Sequence, residues 1–249
     1  MSEERPAELR RFVDDYRRVR LAEGFASTDP EFARGLPFRD ATGRNRPAWR
    51  LRALHYLALR AALAALPHVD RVLDLGAGNG WLARRLAPSF RVTALDVDAT
   101  DTGLGALDDR RVGRLRADLQ ALPLAAGGFD VVIVAAALHY ALDLSCALAE
   151  MARVLRPGGL LVIADSPVYA DAVARDAAWR RTLDHYRAAG AGHLAARYRG
   201  LLREELDGSG RFRFLEVALP CLSSARALLR RIRGRQPGAR LPLIFGWKR

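Results

Sequence analysis

From Arg71 onward, short apolar runs alternate with amphipathic stretches, a pattern that predicts buried strands separated by helices. The runs Val72–Leu75, Arg91–Asp96, Val112–Arg116, Val131–Val134 and Leu160–Ala164 read as five strands. Gly80–Leu86 reads as a helix after the first. A second helix starts at Asp143, places Leu144, Leu148, Met151 and Leu155 on one face, and ends at Pro157-Gly158-Gly159. Strand and helix in alternation imply a parallel sheet covered on both faces. Ahead of it, Glu8–Leu21 sets Leu9, Phe12, Val13, Tyr16 and Val19 at helical spacing. Gly24–Pro47 reads as irregular, anchored by Phe32, Leu36 and Phe38. Ala48–Leu66 reads as a helix with Trp49, Ala53, Tyr56, Leu57 and Leu63 inward. Residues 1–70 are therefore expected to form an N-terminal helical cap on an α/β unit spanning 71–249. Within that unit, 171–206 reads as a helical insertion broken at Gly190-Ala191-Gly192, with Trp179, Leu183 and Tyr186 on its face. Strands at Arg211–Leu219 and Leu241–Trp247 are expected to follow, with a helix at Ser224–Arg233 between them.

The stretch V-L-D-L-G-A-G-N-G, Val72–Gly80, is a strand running into a glycine turn at a helix start. Glycines there supply positive φ and admit close approach, and the free amides of the helix start suit a polar ligand; such turns also serve packing alone. A dinucleotide fingerprint would place its third glycine at position 81, which is Trp81; here it is Gly80. Asp96 closes the second strand, where a carboxylate either accepts the ribose hydroxyls of an adenosine or caps a turn. Asp98 and Asp101 read as caps. The loop Ala135–Tyr140 lies beyond the fourth strand, where open α/β sheets bind ligands. It carries His139, which serves either as a general base or in packing.

The chain has 249 residues, half of them hydrophobic, enough for a sizeable core. Its net charge of +12 invites an anionic partner. Only Lys248 among the forty basic residues is lysine, which points to compositional bias as part of the cause. The two cysteines, Cys146 and Cys221, lack metal-ligand spacing and read as buried thiols. Without a membrane-length apolar run or a signal-peptide pattern, the chain is expected to be soluble and cytoplasmic.

Together, V-L-D-L-G-A-G-N-G, the aspartate at 96, A-D-L-Q-A-L-P-L, F-D-V-V-I-V-A-A-A-L-H-Y and E-M-A-R-V-L-R-P-G-G-L-L-V-I-A-D resemble the ordered motifs of class I S-adenosylmethionine-dependent methyltransferases. The resemblance is to the small-molecule, type 11 group that includes the ubiquinone/menaquinone-biosynthesis enzymes, and it covers about residues 71–165. It implies a Rossmann-like, seven-stranded, mostly parallel sheet with an antiparallel last strand. It further implies that Gly76, Ala77, Gly78, Asn79 and Gly80 cradle the methionyl part of S-adenosylmethionine and that Asp74 helps hold its ammonium group. Asp96 would take the ribose, Val97 and Leu119 would flank the adenine, and Asp118 would accept from the adenine amino group. Ala135, where the family often has a polar residue, would act through its carbonyl, and His139 is the candidate base. Tyr16, Arg50 and Arg52 of the cap either close over the donor or serve packing alone. The fourth strand is not followed by the Asn/Asp-Pro-Pro-aromatic sequence of amino-group methylases of nucleic acid bases. The Pro220-Cys221 pair lies too late for a cytosine methylase nucleophile, and Arg226, Arg230, Arg231 and Arg233 read as a solvated face. The remaining readings are a methyltransferase of RNA or another anionic polymer and an NAD-dependent dehydrogenase or non-catalytic nucleotide-binding module.

Overall fold

A computed structural model of the chain describes residues 4–217 and 239–249. The expected Ser224–Arg233 helix with its arginines, the Pro220-Cys221 pair and the end of the strand expected to reach Leu219 lie outside the described residues.

Three helices come first: α1 (Glu4–Glu23), α2 (Pro30–Gly35) and α3 (Arg46–Ala65). α1 buries Phe12, Val13 and Val19 against Tyr186, Leu194 and Ala195. α2 lies within the stretch expected to be irregular. Its signal is Asp29-Pro30: the aspartate accepts the Glu31 N–H as N-cap and proline opens the first turn, a cap contributing about 1 kcal/mol. Phe32 and Leu36 are buried with Trp49, as their anchoring role requires, whereas Phe38 is 56% exposed. On α3 the buried stripe runs Tyr56, Leu59, Leu63, at spacings of three and four. Leu57 falls off that stripe and is 53% exposed, while His55 turns inward.

The remaining elements are β1 (Arg71–Leu75), α4 (Trp81–Leu86), β2 (Arg91–Asp96), β3 (Val112–Arg116), β4 (Phe129–Ala135), α5 (Leu144–Val154), β5 (Leu155–Ala164), β6 (Val168–Tyr169), α6 (Ala172–Ala188), β7 (Leu201–Leu202), α7 (Arg203–Asp207), β8 (Phe212–Val217) and β9 (Leu243–Lys248). Seven strands form one sheet in the order β3-β2-β1-β4-β5-β9-β8. β1 to β5 pair in parallel, and β9 runs antiparallel to both its neighbours. Chain order reverses on either side of β1, which opens a crevice at the carboxyl ends of β1 and β4.

Period-two alternation splits the core into two layers. Leu73, Leu75, Val132, Val134 and Ile163 meet α5 through Leu144, Leu148 and Met151. Val72, Val92, Val131, Ile133 and Val162 meet Tyr56, Leu59 and Leu63 of α3 and Leu82 and Leu86 of α4. α5 stops at Val154, before the Pro-Gly-Gly expected to end it. That triplet forms an irregularity inside β5, where the pairing with β4 shifts register between Leu155 and Leu160 and Gly158 takes φ +68°. The 171–206 stretch is helical except for its second half, where a 3₁₀ turn at Gly192–Ala196 leads to β7, paired in parallel with β6. Trp179 is 39% exposed, tied by its indole N–H to the Ala195 carbonyl. Cys146 is exposed on the first turn of α5, and its thiol donates to the Gln120 carbonyl at 3.4 Å. Among the described residues no helix is long and apolar enough to cross a membrane.

Candidate functional site

The three glycines of the turn after β1 do different work. Gly76 (φ +73°) passes so close to Ala137 that a Cβ would lie 2.2 Å from the alanine methyl, and a Cβ on Gly80 (φ +71°) would lie 2.7 Å from Leu107. Both are demanded by packing as well as by conformation. Gly78 (φ +52°) has no atom within 4 Å of where its Cβ would stand and lines an open cavity. The turn is anchored from β2, because the Gly76 and Ala77 N–H groups both donate to the Leu95 carbonyl, at 2.7 and 3.0 Å.

Asp74 lies beneath this turn, outside the cavity lining. Its Oδ2 accepts the Ala83 N–H at 3.0 Å in the first turn of α4, and burial pushes its carboxyl up to about 7. Asp96 edges the cavity. Its two oxygens accept the Gly78 N–H at 2.7 Å and the Asp98 N–H at 2.8 Å; burial raises its carboxyl to about 6 against the pull of those bonds. Asp98 itself holds Thr100, and Asp101 pairs with Arg17 of α1 rather than capping a helix. Val97, Leu119 and Ala135 line the cavity, as do Ala77 and Asn79, the latter accepting the Trp81 N–H. Gly80 and Asp118 do not line it. Asp118 is turned to the backbone and side-chain N–H groups of Gln120, at 2.9 and 3.2 Å.

The cavity has a volume of about 510 Å³ and lies at the carboxyl ends of the parallel strands. Phe12, Tyr16 and Arg20 of α1, Phe25, and Trp49 and Arg52 of α3 wall one side. Arg50 is exposed and stands away from it. His139 lines the cavity from the 3₁₀ turn after β4, with Nδ1 3.3 Å from the Ser166 hydroxyl and its ring against Tyr140 and Tyr198. Burial, then the Arg20 and Arg52 charges, lower its pKa to about 3, so the imidazole is neutral at physiological pH. Burial likewise raises the phenols of Tyr16, Tyr140 and Tyr198, which stay protonated.

Arg20, Tyr198 and Asp165 line the cavity without having stood out as site residues in the sequence. Only Asp165 left a usable signal, since it ends β5 as Asp96 ends β2. It adopts φ +54°, and its Oδ1 meets His55 Nδ1 at 2.9 Å.

Residues 73–163 match the family described as methyltransferase domain. This segment holds the glycine turn, Asp96 and the parallel strands. Over this segment the chain is similar to a methyltransferase domain. A demethylmenaquinone methyltransferase from Mycolicibacterium gilvum is 40% identical over 109 residues, 43% of this chain and 46% of the relative. A ubiquinone/menaquinone biosynthesis C-methyltransferase from Syntrophotalea carbinolica is 34% identical over 122 residues, 46% of this chain and 48% of the relative. The chain thus spans about half the length of the curated relatives it matches. The solved S-adenosylmethionine dependent methyltransferase from Mesorhizobium loti superposes with a TM-score of 0.54 at 26% identity, over 78% of this chain and 98% of that one. The matched methyltransferase domain supplies the turn and the strand ends. The wall built by Phe12, Arg20, Phe25, Trp49, Arg52 and Tyr198 comes from outside it.

Proposed function

We propose that this chain transfers a methyl group from S-adenosylmethionine to a nucleophilic atom of a small-molecule acceptor. The observation that carries the reading is the pairing of Gly78 with Asp96: an open glycine and an acidic strand end, joined by one hydrogen bond, edge the same cavity. The residues fit the donor. Each Asp96 oxygen receives one backbone N–H and retains a lone pair for a ribose hydroxyl. Val97, Ala117 and Leu119 form an apolar slot for the adenine, and Asp118, outside the lining, holds Gln120 beside it. The backbone of Gly76, Ala77, Gly78 and Asn79 cradles the methionyl part, and the Ala135 carbonyl takes its ammonium group. Asp74 and Gly80 act indirectly, by holding α4 and the turn in place.

S-adenosylmethionine supplies a methyl group already bonded to a cationic sulfur, so the chemistry is an in-line displacement governed by alignment and exclusion of water. The aromatic wall of Phe12, Tyr16, Phe25 and Trp49 dries the cavity and fixes the approach of the acceptor. His139, neutral and held against Ser166, is assigned to shaping that approach; with a pKa near 3 it is a weak proton acceptor.

Calorimetric titration with S-adenosylhomocysteine and with NAD tests the donor, and labelled methyl donor in fractionated cell extract tests the acceptor. Binding of S-adenosylhomocysteine and label in the small-molecule fraction are expected. Binding of NAD alone overturns the reading, and label confined to precipitable polymer overturns the acceptor class.

A further inference from the structure

Two arginines enter the cavity from the helical wall, and their surroundings differ. Arg20 is engaged: it pairs with Glu23 at 2.6 Å and donates to the Tyr140 and Tyr186 hydroxyls at 2.6 and 3.2 Å. Arg52 makes no hydrogen bond among the described residues. Its nearest carboxylate is Asp165, whose Oδ2 lies 4.0 Å from Nε, while the other oxygen, Oδ1, meets His55 Nδ1 at 2.9 Å. The Arg52 guanidinium lies over Trp49, 4.4 Å from the ring centroid, and over Phe25 at 5.4 Å. Stacking against a ring face engages the cation through its π surface and leaves the in-plane N–H donors free. Its side chain is only 20% exposed and lines the cavity, and burial lowers its pKa. Arg20 stands over the same Phe25 ring at 5.6 Å, with its buried Nε also lacking a partner. A sparsely hydrated cation with unused donors, beside a second cation and between aromatic faces, is a receptor for a planar anion.

We propose that Arg52, supported by Arg20, binds the carboxylate of the methyl acceptor, and that this acceptor is a flat, apolar-bodied acid lying between Phe25, Trp49 and the His139–Tyr140 face. The proposal rests on the methyl-transfer reading above. It assigns the anion to the acceptor because the donor site runs from Asp96 at the end of β2 to Ala135 at the end of β4. The acidic neighbour of Arg52, Asp165, ends β5, one strand further. Aromatic walls suit a flat body, and a guanidinium fork suits the two oxygens of a carboxylate.

The test uses the full chain saturated with S-adenosylhomocysteine, with 1-naphthoate and the neutral 1-naphthamide as probes of equal shape. Calorimetry should show naphthoate binding at least tenfold more tightly than the amide. Arg52→Met, which keeps length and removes charge, should abolish that preference while the S-adenosylhomocysteine affinity changes less than threefold. Arg52→Lys should restore part of the preference, and a melting temperature within a few degrees of the parent confirms folding. Equal binding of the two probes, binding of neither, or a tenfold loss of S-adenosylhomocysteine affinity in Arg52→Met overturns the proposal, the last by placing the donor's own carboxylate on Arg52. Failure of the parent chain to bind S-adenosylhomocysteine instead sinks the underlying methyl-transfer reading.

Discussion

Asp96 accepts the Gly78 N–H at 2.7 Å, so the end of β2 fixes the tip of the turn that follows β1. One carboxylate thereby shapes the turn and edges the cavity, and its replacement has two separable effects. Asp96→Ala leaves the Gly78 and Asp98 N–H groups without their acceptor and should lower stability by about 1–3 kcal/mol. Loss of charge-assisted bonds to the ribose should also weaken S-adenosylhomocysteine by about tenfold to a hundredfold. Denaturant melts and calorimetry read the two separately. The Asp96 carboxyl is raised to about 6 when folded, above the unfolded value of about 3.9. Its contribution to unliganded stability is therefore full below pH 4 and lost as pH rises through 6. Binding should follow the opposite course: affinity for S-adenosylhomocysteine is flat above pH 7 and weakens as the carboxylate is protonated below 6.

The glycines of the turn separate packing from ligand contact. Gly76→Ala drives a methyl into Ala137 at a positive φ and should cost about 1–2 kcal/mol for the backbone and about 1–3 kcal/mol more for overpacking. Gly78→Ala meets no atom and should cost only the backbone share of about 1–2 kcal/mol. It should still weaken S-adenosylhomocysteine by about tenfold, some 1.4 kcal/mol. Equal stability losses with unchanged ligand affinity would contradict the division.

His139 should show no titration between pH 8 and 5 in its ring-proton NMR shifts, because its folded pKa is about 3. An essential general base contributes about a hundredfold to ten-thousandfold in rate. His139→Ala is expected to retain turnover within tenfold of the parent, and a larger loss with a pH-rate inflection near neutrality would restore the base role.

α3 offers a test of its buried stripe. Leu59→Ala should destabilise by about 2–5 kcal/mol, whereas Leu57→Ser should stay within about 0.5 kcal/mol. Chemical melts of the two variants check the contrast.

The central strands were legible because each is a short apolar run bounded by turn residues: β2 and β3 fall on their expected limits, β1 begins one residue earlier, and β4 gains two residues at its start and one at its end. Errors arose where a local cue has two physical outcomes. Pro157-Gly158-Gly159 reads as a helix stop, yet the same residues fit an irregular strand; Leu57 is apolar but sits off a stripe whose phase is set by contact with the sheet. β6 and β7 are too short to carry any period. In the site, Gly78 was readable because its glycine motif is continuous in sequence, and Asp96 because it closes an apolar strand. That Gly76 and Gly80 answer to Ala137 and Leu107 was not, and neither was the meeting of Arg20 and Arg52 over Phe25, which depends on how separate helices pack.

The position of β9 has a kinetic consequence. It pairs with β5 inside the sheet, and the Lys248 ammonium reaches the Leu155 carbonyl across 93 positions. Closing so long a loop is entropically slow, so the parallel half is free to assemble first with one flank of β5 unsatisfied. Until β9 arrives, that flank is an adhesive edge. Refolding yield should therefore fall with protein concentration, and dilute, slow refolding should favour recovery of the complete sheet.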